Sequence, residues 1–203
     1  MALPAHLRAA LLGIVALAAA LALARAEVRG VVLDEPAPIA PFALETQDGA
    51  SFTEADLQGG WSMVFLGFTH CPDVCPFTLA NLAAVRSELG QLMRPDNLPR
   101  IVFLAVDPER DRPVLGAYVE HFDIAFTGVT GEPEAIGGFT ESLDGFYRLE
   151  KKGPDDDAYS VTHSAAVSLI NPAGEVVAKL SPPFEPFQTA NYINRVMRTG
   201  KAD

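Results

Sequence analysis

Trp61-Ser-Met-Val-Phe-Leu-Gly-Phe68 runs directly into Thr69-His70-Cys71-Pro72-Asp73-Val74-Cys75-Pro76, and this passage decides how the chain is read. Residues 61–68 form an apolar, β-prone run without internal charge, as expected of a strand buried on both faces of a sheet. From Pro76 onward Leu82, Val85, Leu89 and Leu92 recur at helical spacing, and proline is tolerated in a first helical turn because its missing N–H has no partner there. The two cysteines, the only ones in the chain, therefore fall where a strand hands over to a helix N-terminus. The partial positive charge of that terminus favours thiolates.

Spacing restricts the chemistry. With Cys75 in the first helical turn and Cys71 just before it, four residues of separation put both sulfurs on one side, within reach of a disulfide or a shared metal ion. Structural zinc wants four ligands, and no further cysteine exists to supply them. Two soft thiolates plus one imidazole suit copper, as Cu(I) or Cu(II). A structural disulfide is the competing reading, since exported cysteines usually pair.

Export itself is legible in the first 26 residues. Arg8 supplies a positive start, residues 9–24 carry no charge, and Ala24-Arg25-Ala26 is a small-x-small cleavage signal. Residues 1–26 are thus a signal peptide, cut or else kept as a membrane anchor, which predicts a periplasmic protein, free or held on the inner membrane. Without them the charge falls from −11 to −13, because Arg8 and Arg25 go and no acid does, leaving 13 basic residues against 26 acidic. Such acidity excludes nucleic acid as a partner class.

Residues 27–41, rich in proline and alanine, read as an extended linker, and residues 42–200 as one domain. A short N-terminal hairpin is expected from Phe42–Leu44 and Ser51–Thr53 around Asp48-Gly49, with a brief helical turn to Leu57. After the central strand and helix, Arg100–Val106 is a second buried run ending at Asp107-Pro108, so strand, helix and strand form a βαβ unit. A helix from Pro113, a short strand at Phe126, a helix over Glu132–Leu143 and a strand over Phe146–Lys151 follow. Lys152–Ser160 is a polar loop containing Asp155, Asp156 and Asp157. Ala165–Ile170 and Glu175–Leu180 flank a proline-glycine turn as a hairpin, and Pro186–Arg198 closes the chain as a helix. The fold class is α/β, a central mixed sheet flanked by helices.

Three histidines remain beyond the leader. His121 lies in a polar helical segment and reads as solvated; His70 points away from its neighbour Cys71 and reads as structural. His163 follows the polar loop and precedes an apolar strand, which lets it fold over a site at the sheet edge. Asp107 ends a parallel strand on the side where α/β folds place their sites, and begins a turn with Pro108; Asp73 stands between the cysteines. Neither aspartate is assigned as a ligand.

Taken together, Phe68–Pro76, Asp107-Pro-Glu-Arg-Asp111, Phe126-Thr-Gly-Val-Thr-Gly131 and Val161-Thr-His163-Ser164 resemble the Sco/SenC copper proteins of cytochrome c oxidase assembly, over about residues 42–198. The resemblance implies a thioredoxin-like fold and copper held by Cys71, Cys75 and His163. It further implies a metallochaperone that is not an enzyme and delivers copper to the binuclear site of the oxidase's copper-bearing subunit. Other periplasmic copper chaperones, or thiol reductants that keep the cysteine pair reduced, are the further partners expected. Where the family commonly has an aspartate before the histidine, this chain has Thr162. Two alternatives use the same cysteines without the imidazole: a thiol-disulfide reductase with Cys71 attacking and Cys75 resolving, and a peroxidase with one cysteine as nucleophile.

Overall fold

The computed structural model describes residues 28–201 apart from 154, 155 and 157. The export segment over 1–26, and Asp155 and Asp157 of the polar loop, lie outside the described residues. Among the described residues no helix is long and apolar enough to cross a membrane.

The central strand is β4 (Ser62–Gly67), every residue of which is buried. It pairs in parallel with β5 (Arg100–Ala105), and β5 pairs in parallel with β6 (Thr127–Thr130). On its other side β4 meets β9 (Val167–Ile170) antiparallel, and β9 turns back into β10 (Glu175–Ser181). The expected hairpin is present as β2 (Ala43–Thr46) and β3 (Ser51–Thr53), and it extends the sheet beyond β6. One further strand, β1 (Arg29–Pro38), completes a mixed sheet of eight in the order β1, β10, β9, β4, β5, β6, β2, β3.

Helix α1 (Val74–Leu92) joins β4 to β5 and buries Cys75, Thr78, Leu79, Leu82, Val85 and Leu89, the three- and four-residue spacing of one helical face. The Asp107-Pro108 sequence opens a four-residue helix, α2 (Pro108–Asp111), before α3 (Leu115–Glu120). Both α4 (Pro133–Ser142) and α5 (Pro186–Thr199) begin on proline at a position where the missing N–H costs nothing. β7 (Tyr147–Leu149) does not join the main sheet; it pairs antiparallel with β8 (Val161–His163) as a separate two-stranded ribbon. That ribbon presents His163 at the end of a strand, which residue pattern alone does not reveal because three residues are too few to show a period.

The linker expected over 27–41 is corrected by β1. Arg29 pairs with Ser181 and Val32 with Ala178, then the register shifts before Ala37 meets Val176. Prolines are compatible with this strand because it is the sheet edge, where one side of the backbone needs no partner, and because Pro36 falls within the irregular stretch. Gly30 marks a close approach, since a Cβ there would lie 2.5 Å from the ring of the buried Tyr192 in α5. Gly30→Ala is therefore expected to lower stability by about 1–3 kcal/mol in urea denaturation. A change within about 0.5 kcal/mol, the effect of substitution in an unpacked segment, would mean that β1 is not held against α5.

Candidate metal centre

The cysteine loop is set by three constraints. Gly67 ends β4 where a Cβ would meet the Phe103 ring at 2.6 Å and the Cys75 sulfur at 3.0 Å, so only glycine lets that sulfur lie against the strand. The Cys71 N–H donates to the Phe68 carbonyl at 3.2 Å, turning the chain out of the strand. Asp111, at the end of α2 and fully buried, accepts both the N–H and the hydroxyl of Thr69 at 2.7 Å on one oxygen and the Asp107 N–H at 3.0 Å on the other. Burial pushes its carboxyl up, and the donated hydrogen bonds oppose that shift.

At the start of α1 the preceding Asp73 makes no capping hydrogen bond; the Cys75 N–H instead donates to the Cys71 sulfur at 3.4 Å. Cys71 thus does the work of a capping side chain. Cys75 differs. It is completely buried, and burial first, then the neighbouring Cys71 and Asp111, push its thiol well above the ordinary range. The helix N-terminus that favours thiolate in the sequence is overridden there by desolvation. Both cysteines are free thiols in this structure.

His163 faces Cys75, with Nε2 at 3.4 Å from the sulfur. Its Nδ1–H donates to the Ser164 carbonyl at 3.0 Å, which assigns the proton to Nδ1 and leaves the Nε2 lone pair toward the sulfur. That carbonyl does what a carboxylate partner does elsewhere for a ligating imidazole. Thr162, at the family's aspartate position, donates its hydroxyl away from the ring, to Glu150 at 3.0 Å. Phe65 and Phe68 meet the imidazole edge-on, with ring centroids 6.0 and 6.2 Å away. Burial among them lowers the His163 pKa, and the Ser164 carbonyl partly offsets this.

The loop leading to His163 is tied to the same turn. Tyr159 donates its hydroxyl to both oxygens of buried Asp107, at 2.7 and 2.9 Å. Arg110 pairs with Asp107 at 2.5 Å, donates to the Tyr159 carbonyl at 3.0 Å and stacks its guanidinium 3.6 Å over the Tyr159 ring. The sequence reading missed these positioning roles: it gave Asp107 a turn, and gave Asp111, Arg110 and Tyr159 none. A signal was there, since charged residues within a run that follows a buried strand are costly unless paired.

Of the residues singled out from sequence, the fold brings Cys71, Cys75 and His163 to one place. His70 is exposed and bonded to Thr69 at 3.0 Å, and His121 is exposed at the end of α3. The three donors are neighbours without a finished cage: among the described residues no group of three His, Cys, Asp or Glu side chains is already arranged to hold a metal ion. The donor types, two sulfurs and a neutral imidazole with its lone pair free, fit copper.

The SCO1/SenC family profile matches residues 33–198. This chain belongs to the SCO1/SenC family. Among its SCO1/SenC relatives, the mitochondrial SCO1 homolog 1 of Arabidopsis thaliana is 39% identical over 133 residues, 65% of this chain and 39% of that protein. The human mitochondrial SCO1 homolog is 36% identical over 137 residues, 66% of this chain and 44% of that protein. The chain spans less than half the length of these two relatives. Solved structures agree in fold: copper-bound ScoI of Arabidopsis thaliana superposes with a TM-score of 0.71 at 31% identity, covering 80% of this chain and 99% of that one. Copper-bound yeast Sco1 gives 0.74 at 27% identity, covering 81% and 90%. The thioredoxin-like α/β architecture is thereby shared with SCO1/SenC structures.

The burial of neutral His163 has a consequence for pH. Its pKa is lower folded than unfolded, so between those two values the unfolded chain binds more protons and stability rises with pH. Wild-type protein is expected to lose stability as pH falls from about 6.5, the unfolded value, through the folded one. His163→Gln should flatten that part of the profile, measured as the urea midpoint from pH 7 to pH 5. An unchanged slope would mean that His163 is solvated in the folded state.

Proposed function

We propose that this protein is a copper-binding metallochaperone of cytochrome c oxidase assembly, holding copper through Cys71, Cys75 and His163 and delivering it to the binuclear copper site of the oxidase's copper-bearing subunit. The observation that carries this reading is the 3.4 Å approach of His163 Nε2 to the Cys75 sulfur, with the other ring nitrogen already satisfied. A thiol-exchange site has no need of that imidazole; a soft-metal site does. The bound copper named in the structures of its Arabidopsis and yeast relatives supports the same assignment.

In this reading copper would enter as both thiols release their protons to solvent and the Cys71 sulfur releases the Cys75 N–H to turn toward the metal. Charge neutralisation by the ion offsets the cost of a buried thiolate at Cys75. Transfer is ligand exchange beginning at Cys71, the less buried sulfur, and atoms balance with one partner thiolate or imidazole replacing each departing donor. The protein acts in the periplasm, exported by residues 1–26, which are then cut or kept as an inner-membrane anchor; other periplasmic copper chaperones or thiol reductants load it or keep it reduced.

A reductase acting on the oxidase subunit's cysteines is the second reading. It is favoured by the division of labour between a half-buried sulfur at a helix N-terminus and a buried thiol behind it, the arrangement of an attacking and a resolving cysteine.

The His163→Ala variant separates the two, because it spares both sulfurs. Reduced wild-type protein is expected to bind one copper, with His163→Ala weakening it by at least about 10–100-fold, the scale already set by loss of a partner outside the ligand shell. Titration against a copper-chelating dye reads this, and X-ray absorption should lose its imidazole scattering. Cells carrying His163→Ala should lose oxidase activity; normal activity with the variant stably present would favour the reductase.

A further inference from the structure

Strand directions define two ends of the sheet. β4 and β5 both run toward the end that carries Cys71 and the α2 turn. Following register outward, Phe65 pairs with Val167, Val167 with Leu180, and Ser181, next along β10, with Arg29. The chain therefore enters β1 at the metal-bearing end, three strand spacings from β4, a lateral distance of about 15 Å.

Exposed apolar side chains gather at the same end. Of the eight large hydrophobic residues exposed among the described residues, five stand at element starts or turns there. Val74 and Phe77 lie in the first turn of α1, the cysteine helix, and Phe77 is 64% exposed. Val114 precedes α3 and lines a cleft with Thr69, His70 and Pro76. Phe146 exchanges hydrogen bonds with Ser164, the residue after His163, at 3.0 Å each way. Phe187 is in the first turn of α5, which follows β10. Leu92 and Ile124 lie at the opposite end, so the concentration is not a general property of the surface.

What covers this rim is indicated by the chain that precedes it. The uncharged stretch over 9–24 is separated from Arg29 by only four residues, Arg25 to Val28, a reach of at most about 18 Å. When that stretch lies in a bilayer, the metal-bearing end cannot stand far from the lipid surface. We propose that the metal-bearing end of the sheet is the face this domain turns to the membrane, with Val74, Phe77, Phe146 and Phe187 seated in the interfacial layer. The contact is apolar rather than electrostatic, because a chain of net charge −11 gains nothing from anionic headgroups. The proposal goes beyond the copper reading and does not depend on it, since copper titration in solution is blind to lipid.

The test uses the full, unprocessed chain in phosphatidylcholine vesicles with brominated acyl chains, which quench nearby indoles. The single native tryptophan, Trp61, precedes β4 at the far end and serves as the internal control. Trp61 emission should be nearly unaffected by bromination, whereas in a Trp61→Phe background the indole introduced by Phe77→Trp should lose more than about half its emission, interfacial side chains lying within about 5–10 Å of the acyl boundary. Adding Val74→Ser and Phe187→Ser should relieve the quenching at least about twofold while the chain still floats with the vesicles. Equal quenching of both indoles, quenching of neither, or quenching indifferent to the serine substitutions overturns the proposal. A Phe77→Trp signal that ignores lipid and responds only to an added soluble copper-binding domain makes this face a protein-docking surface instead.

Discussion

One helical turn at the end of β5 holds the whole site together. Asp107 and Asp111 are both buried, lie four residues apart, and take opposite tasks: Asp111 fixes Thr69 and with it the cysteine loop, while Asp107 with Arg110 fixes Tyr159 and with it the approach to His163. The sulfurs and the imidazole come from segments 88 residues apart in sequence, so neither could place the other. A common anchor on a parallel strand solves that problem. Buried carboxylates are costly without partners, and here their oxygens are engaged by backbone N–H, hydroxyl and guanidinium groups.

The two cysteines are chemically unequal as a result. Cys71 sits at the helix start and receives an N–H, whereas Cys75 is fully buried with its sulfur against Gly67 and is kept protonated by desolvation. A neutral imidazole beside a protonated thiol carries no net charge into the interior, which is the inexpensive resting state for such a pocket. A soft cation held there, as proposed, would change the balance by supplying the positive charge that lets both sulfurs ionise. The same inequality also suits attack and resolution in thiol exchange, and the imidazole is what distinguishes the two uses.

Legibility in the sequence followed the length of each signal. The β4 run, the α1 face and the β9–β10 hairpin carry six or more residues of consistent pattern, and the fold keeps them within a residue or two. The β7–β8 ribbon rests on three residues per strand, too short for a period, and β1 is hidden by prolines that only an edge position excuses. The tie between Thr162 and Glu150 likewise depends on strand pairing that no local pattern announces.

By itself the sequence determined the chemistry on offer: two cysteines four residues apart at a strand-to-helix junction, a histidine ahead of an apolar strand, and an α/β order of elements, together with motifs shared with the SCO1/SenC family. These are local properties, set by periodicity, spacing and residue type. Only the tertiary structure decided which imidazole meets which sulfur, that the Ser164 carbonyl rather than a side-chain carboxylate holds its Nδ1 proton, that Cys75 is the buried member of the pair, and that Asp107 and Asp111 hold the two loops. Those outcomes depend on the register of strands far apart in the chain and on exclusion of water from one end of the sheet, and desolvation is a property of the assembled fold that no segment has alone.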